Sequence, residues 1–250
     1  MKDKRAIQEA FTELAPRYER TVDKELKRFW GWSYDDFVNN MIQKTSIQKE
    51  ARILDVATGT AVIPLKLLRQ GQTGGQIIGL DITLAMLLKA CKKIDAQKRM
   101  EAGQEDQAQA SAPIRLSCAS AMAMPYRNDY FDVILCALAT HHLDVPVVLA
   151  EMQRVLKPGG SITLADAMGA TAWHRPVIRT LIQAGTFLYF LPQEGIARAR
   201  AESSAIFNVY SENEWMDNLA RAGLGEIRIT KLPSSHSWLP SPLVIQARKV

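Results

Sequence analysis

Residues 52–61, Arg52-Ile53-Leu54-Asp55-Val56-Ala57-Thr58-Gly59-Thr60-Ala61, decide how this chain folds. Ile53, Leu54 and Val56 suit a strand covered on both faces, and small residues follow the carboxylate of Asp55 before Val62-Ile63-Pro64-Leu65-Lys66-Leu67-Leu68 resumes with helical character. A second apolar run, Gln76-Ile77-Ile78-Gly79-Leu80-Asp81, also ends in an acid, 22 positions after Gly59. A carboxylate about 20 residues beyond the turn is placed to bond a ribose. The pattern is that of an α/β fold whose parallel strands offer a nucleotide site at their carboxyl ends. Ala57, Gly59 and Ala61 occupy alternate positions. A pyrophosphate-cradling Gly-x-Gly-x-x-Gly turn has a different spacing, so a nicotinamide cofactor fits poorly.

Two more stretches follow in order: Ala119-Ser120-Ala121-Met122-Ala123-Met124-Pro125-Tyr126 leading into Tyr130-Phe131-Asp132-Val133-Ile134, and Glu151-Met152-Gln153-Arg154-Val155-Leu156-Lys157-Pro158-Gly159-Gly160-Ser161. With the two strand–acid motifs they make the chain from about Arg52 onward resemble the class I S-adenosylmethionine-dependent methyltransferases. The resemblance implies a Rossmann-like methyltransferase fold: an α/β, seven-stranded, mostly parallel sheet with a terminal antiparallel hairpin and a helical cap. S-adenosyl-L-methionine is the implied cofactor. The first motif is similar to that of the quinone-biosynthesis C-methyltransferases, and departs from it where those enzymes carry Gly-Asp and this chain has Ala61-Val62.

Carried over by position, the resemblance implies that Ala57, Thr58, Gly59 and Ala61 pass under the methionine and ribose. Asp81 takes the ribose, with Ile82 beside it. Ser120, Ala121 and Met122 meet the adenine, and Ala137, at the end of the fourth strand, is assigned to the cofactor site as well. Ser120 stands where relatives usually carry Asp, and its hydroxyl accepts the same bond without charge. Asp55 is expected to orient the loop. Tyr18, in Leu14-Ala15-Pro16-Arg17-Tyr18-Glu19, resembles a segment that folds over the cofactor.

An activated methyl group needs an acceptor held in line and, for some acceptors, a proton acceptor. His142 and Asp166, and after them His141, are the candidate bases, since all follow apolar strands at the expected carboxyl edge. Adjacent histidines point in different directions and no third ligand stands near His141, His142 and Asp144, so no metal is expected. Residues 170–208, with Trp173, His174, Arg179, Phe187, Tyr189 and Arg198 among them, are expected to roof an apolar acceptor together with the N-terminal helices around Trp30 and Phe37. The same aromatics would serve a dimer contact or a satellite core equally well, so a homodimer stays open. The function expected is methyl transfer to an oxygen or carbon of an apolar small molecule, quinone-like or a secondary metabolite. The alternative is a protein of this fold with a non-methylating catalytic or binding role.

At 250 residues and 47% hydrophobic, the chain reads as a helical cap over residues 1–50 and one domain over 51–250. In the cap, 6–15 and 29–41 have helical spacing. Residues 95–112, rich in Gln, Glu and Ala, extend a helix or loop outward. A helix over 146–156, strands over 161–167, 226–232 and 243–248, and a Ser211–Glu214 capping box are further expectations. The net charge of +5 is spread among acids, which argues against a nucleic-acid partner. No run of about 18 apolar residues would insert stably in a membrane, and no signal-peptide core opens the chain, so a cytoplasmic location is expected. Cys91, Cys118 and Cys136 lack metal or disulfide spacing and read as reduced core residues.

Overall fold

The computed structural model describes residues 4–72, 75–102, 114–170, 173, 175–236 and 239–250. Three helices come first: α1 (Lys4–Leu14), α2 (Tyr18–Trp30) and α3 (Tyr34–Lys44). Strands and helices then alternate as β1 (Ile53–Val56), α4 (Val62–Arg69), β2 (Ile77–Asp81), α5 (Leu84–Ala102), β3 (Ile114–Cys118), β4 (Phe131–Ala137), α6 (Val145–Val155) and β5 (Leu156–Met168). After α7 (Pro176–Ala205) and α8 (Glu212–Arg221), β6 (Leu224–Lys231) and β7 (Ser241–Lys249) close the chain. The seven strands form one sheet in the order β3-β2-β1-β4-β5-β7-β6. β1 to β5 pair in parallel, while β7 runs antiparallel to both β5 and β6.

Period-two alternation sends side chains of one strand into two cores. Ile134 and Cys136 of β4 join Val148, Met152 and Trp215 under α6 and α8. Val133 and Leu135 join Phe37, Met41 and Ile63 on the opposite face. Each fully buried Leu, Ile or Phe contributes roughly 1.5–3 kcal/mol. Gly79 in mid-β2 has a steric reason: a Cβ there would lie 2.8 Å from Thr58 Oγ1, so only hydrogen lets the β1 turn cross the strand.

Several expectations are corrected. The helical segment over 29–41 is broken, because Gly31 caps α2 in the left-handed region (φ 79°) and Ser33 caps α3 by accepting from the Asp36 N–H. Trp30 and Phe37 pack on the sheet face with Ile53, Ala165 and Val244 instead of reaching over its carboxyl edge. β5 starts at Leu156, five residues before the expected strand over 161–167. Its register slips between the Phe131–Leu156 and Val133–Ser161 pairs, so Pro158 and Gly159 (φ 74°) bulge out. Cys91 and Cys118 are exposed, leaving Cys136 as the core cysteine. Of 95–112, residues through Ala102 continue α5 and the rest lie outside the described residues. The roof segment is α7, two helical halves broken at Gly195 (φ 83°, ψ 176°). His174 lies outside the described residues. Among the described residues no helix is long and apolar enough to cross a membrane. The capping box forms as expected, with Ser211 and Glu214 bonding reciprocally.

Candidate active site

The ends of β1, β2 and β4 meet where the strand order reverses. Thr58 N–H donates to Leu80 O and Gly59 N–H to Asp81 Oδ2 (2.8 Å), which ties the β1 turn to β2. Asp81 Oδ1 accepts from Thr83 N–H (2.8 Å). Asp55, buried, accepts from Thr58 Oγ1 (2.6 Å), a bond within the turn. Burial pushes the Asp55 carboxyl up to about 7 against the Thr58 bond, and burial likewise raises Asp81. Ala57 (φ 56°), Gly59 (φ 55°) and Ala61 (φ 60°) all adopt left-handed conformations, as does Leu138 (φ 54°) after β4. Strain of this kind at a strand edge is held by surrounding packing and marks a functional loop.

A cleft of about 380 Å³ opens beside this turn. Ala57, Asp81, Ile82, Ser120, Ala121 and Met122, all assigned to a cofactor from the sequence, line it together with His142 and Ile7. Ser120 Oγ accepts from Met122 N–H (3.2 Å). Thr58 and Ala61 lie behind the lining; Ala61 packs on Leu65, Ala90 and Ile94. Ala137 is half-buried at the end of β4. Tyr18 sits over the turn, its Cε1 3.8 Å from where a Gly59 Cβ would be, and burial raises its phenol. α1 covers the cleft, with Gln8 Nε2 donating to Ile82 O (3.2 Å). These residues fit a nucleoside bearing a 2′,3′-diol. Each Asp81 oxygen takes a backbone N–H, which fixes the carboxylate at the strand end, and the turn presents backbone and small side chains where an adenosyl group would lie.

Next to the cleft, a short 3₁₀ turn, Thr140–His142, follows β4. Asp166, 1% exposed at the end of β5, accepts from Thr140 N–H (2.8 Å), Thr140 Oγ1 and Ala167 N–H. Its Oδ1 lies 2.6 Å from His141 Nδ1. Burial alone would lower the His141 imidazole, but the Asp166 charge and hydrogen bond overcome it and raise the pKa. The same pairing overcomes burial to hold Asp166 below its ordinary value. His142 behaves oppositely: burial and the neighbouring His141 lower it to about 4. Asn208 Nδ2 braces the turn by donating to His141 O (3.1 Å) and to Leu143 O.

Sequence reasoning missed a buried charge cluster over this turn. Glu202 Oε1 lies 3.3 Å from His142 Nε2 and 3.1 Å from Arg198 Nη2, and Arg198 Nη2 also donates to Glu25 Oε2 (3.3 Å). Burial, reinforced by Glu202, pushes Glu25 up to about 7, whereas Arg198 and His142 overcome burial to hold Glu202 low. The Arg198 guanidinium stands over the Phe11 ring (5.1 Å), and Phe11 meets the His142 ring edge-on at 5.1 Å. Arg198 Nε and Nη1 and His142 Nδ1 are buried and form no hydrogen bond among the described residues. Glu202 is the third ligand type that the sequence does not place near the histidines: His141, His142 and Glu202 offer atoms within 4.8 Å of one another. Arg198 already supplies a cation beside that carboxylate, so the cluster is neutralised without an ion. The i,i+4 spacing of Arg198 and Glu202 was the available signal, but nothing in it distinguishes a buried pair from a surface one.

Comparison with known proteins follows the same outline. A family model described as a methyltransferase domain matches residues 54–164. A demethylmenaquinone methyltransferase of Lactobacillus johnsonii is 29% identical over 175 residues, covering 69% of this chain and 64% of that protein. The chain thus spans slightly under two thirds of that relative's length. The YcgJ protein of Bacillus subtilis superposes with a TM-score of 0.62 at 20% identity, over 86% of this chain and 99% of its own. A geranyl diphosphate C-methyltransferase of Streptomyces coelicolor, solved with Mg2+, geranyl diphosphate and S-adenosyl-L-homocysteine, gives 0.65 at 14% identity, over 93% and 81%. At these identities the two structures speak to the fold alone. Ordered motifs, sheet order and family match agree on a class I S-adenosylmethionine-dependent methyltransferase domain, matched over residues 54–164.

Proposed function

We propose that this protein transfers the methyl group of S-adenosylmethionine to an oxygen or carbon of an apolar, quinone-like small molecule, with His141 receiving the acceptor's proton. The observation that carries this reading is the hydrogen-bonded His141–Asp166 pair, in the short turn whose next residue, His142, lines the Asp81-bearing cleft. S-adenosylmethionine, when bound, supplies an already electrophilic methyl group, so the protein's own task is placement, dryness and proton removal. Asp81 and the Ala57–Ala61 turn would hold the ribose and methionine, and Ser120 to Met122 the adenine. Asp166 fixes the His141 ring through Nδ1 and leaves Nε2 to accept a proton, making Asp166 a positioning residue. His142, neutral with a pKa near 4, is the weaker base and packs between the cleft and Glu202. Phe11, Phe190 and the stem of Arg198 supply apolar cover against water. The demethylmenaquinone methyltransferase relative favours a quinone-like acceptor.

Calorimetry with S-adenosylhomocysteine on the folded Asp81→Ala variant tests the site. Loss of two charged hydrogen bonds should weaken binding by roughly 1.5–3 kcal/mol, about ten- to a hundredfold. Unchanged affinity would remove the assignment. Methyl transfer to a reduced naphthoquinone, followed by mass spectrometry, tests the acceptor class separately.

A further inference from the structure

The first half of α7, from Pro176 to the break at Gly195, is apolar on both sides. Its inner side carries Phe190, buried, and Tyr189 against Phe29 (5.6 Å). Its outer side repeats Val177, Leu181, Ala184, Leu188 and Leu191 at alternating steps of four and three residues, all exposed, with Val177 at 73% and Leu181 and Leu188 at 67%. That stripe runs about 21 Å along the helix. Only Arg179 and Glu194 carry charge between residues 176 and 194, and neither interrupts it. Arg179 lies over the Phe207 ring (4.6 Å) and Glu194 pairs with Arg17 (2.8 Å). A helix that is apolar all round is normally covered all round.

What covers it is indicated by the neighbouring helix. α2 adjoins α7 where Arg28 stacks over Tyr189 (5.1 Å). Arg20, Lys24 and Arg28 are exposed at steps of four, hence on one side of α2. The acids of α2 do not neutralise that side: Glu19 pairs with Lys93, Asp23 with Lys27 and Glu25 with Arg198. We propose that this surface docks on an anionic phospholipid bilayer, the α7 stripe entering the headgroup boundary while Arg20, Lys24 and Arg28 face the acidic headgroups. An apolar stripe beside a basic one is what interfacial binding needs, burial and charge adding to each other. A second copy of the chain fits less well. One helical stripe offers only a few hundred Å², against about 800 Å² per partner in a stable interface, and two-fold pairing would set two basic helices near each other. The docking does not depend on the methyl-transfer reading. Delivery of a bilayer-held acceptor beneath α7 would follow only if both hold.

The test is sedimentation of the full chain with phosphatidylglycerol–phosphatidylcholine vesicles and with pure phosphatidylcholine vesicles. The wild type should partition to the anionic vesicles, with affinity falling as salt rises. Arg20→Glu with Lys24→Glu should lower that partition at least roughly thirtyfold, since each basic residue is worth about fivefold. Leu181→Glu with Leu188→Glu, at exposed positions that should not disturb folding, should abolish it. All should bind S-adenosylhomocysteine alike in calorimetry, so failure of the cofactor reading is scored separately. Wild-type protein left in the supernatant, equal binding to both vesicles, or full binding by the Leu181/Leu188 variant overturns the proposal. So does a wild-type dimer that this variant splits in velocity sedimentation without vesicle binding, which would assign the stripe to a second copy.

Discussion

Removing Arg198 isolates the energetics of the buried cluster, and pH 6 makes the problem a two-charge one. There Glu25, with a pKa near 7, is largely protonated, and His142, near 4, is neutral. Arg198 and Glu202 remain as a cation and an anion 3.1 Å apart, with side chains 7% and 13% exposed. At that separation and an effective dielectric constant of about 20, their attraction is about 5 kcal/mol. Arg198→Met keeps most of the apolar stem but strands the Glu202 charge, so urea unfolding followed by circular dichroism should show a loss of about 3–5 kcal/mol. Glu202→Gln should cost less, about 1–2 kcal/mol, because the Glu25 carboxyl 3.3 Å from Arg198 can ionise in its place for little more than one pKa unit. The double variant leaves no stranded charge and should recover to within about 1–2 kcal/mol of wild type, a coupling well above the ~0.5 kcal/mol expected of independent sites. If the double variant is as unstable as the sum of the two single variants, the pair is not the electrostatic unit described here.

Two further expectations concern the site. In Asp166→Asn the His141 ring loses the charge that offsets its burial, so its pKa, followed by proton NMR, should drop from above to below the ordinary value; an unmoved titration would dissociate the two residues. In the wild type the raised His141 pKa stabilises the fold below about pH 6.5 and that contribution fades as pH climbs through the folded value, while the lowered Asp166 pKa contributes above about pH 3.9 and fades as pH falls through its own folded value. Stability from this pair should therefore be greatest between those limits. Ala57→Gly and Ala61→Gly separate strain from packing. Each relieves about 1–2 kcal/mol of left-handed strain against a glycine entropy cost of about 0.4–1 kcal/mol. The Ala61 methyl is fully buried and its loss cancels the gain at about 0.8 kcal/mol. Ala57→Gly should thus stabilise by about 0.5–1 kcal/mol and Ala61→Gly by nearly nothing in urea unfolding; equal shifts would contradict the assigned packing.

The parallel sheet and its ligand edge were legible in the chain because local rules dictate them. Ile53–Val56 is an apolar run holding an acid and Ile77–Asp81 one ended by an acid, and Ser211 with Glu214 closes a helix start through bonds only three residues apart. Ala57, Asp81, Ile82, Ser120, Ala121 and Met122 could be grouped in advance because parallel pairing brings successive strand ends to one edge. Tertiary structure alone decided which polar groups meet. Asp166 reaches His141 across β4–β5 pairing, 25 residues away in sequence, and that contact raises the His141 pKa while that of His142 falls. Arg198 joins Glu25 across 173 residues and becomes a buried cation, although nothing in its surroundings along α7 marks it as one. Trp30 and Phe37, read as acceptor cover, went into the core, since hydrophobic spacing says that a face is buried but not against what. Period and caps are properties of neighbouring residues, whereas burial, ion pairing and the pKa values they set are properties of distances that exist only after the sheet has folded.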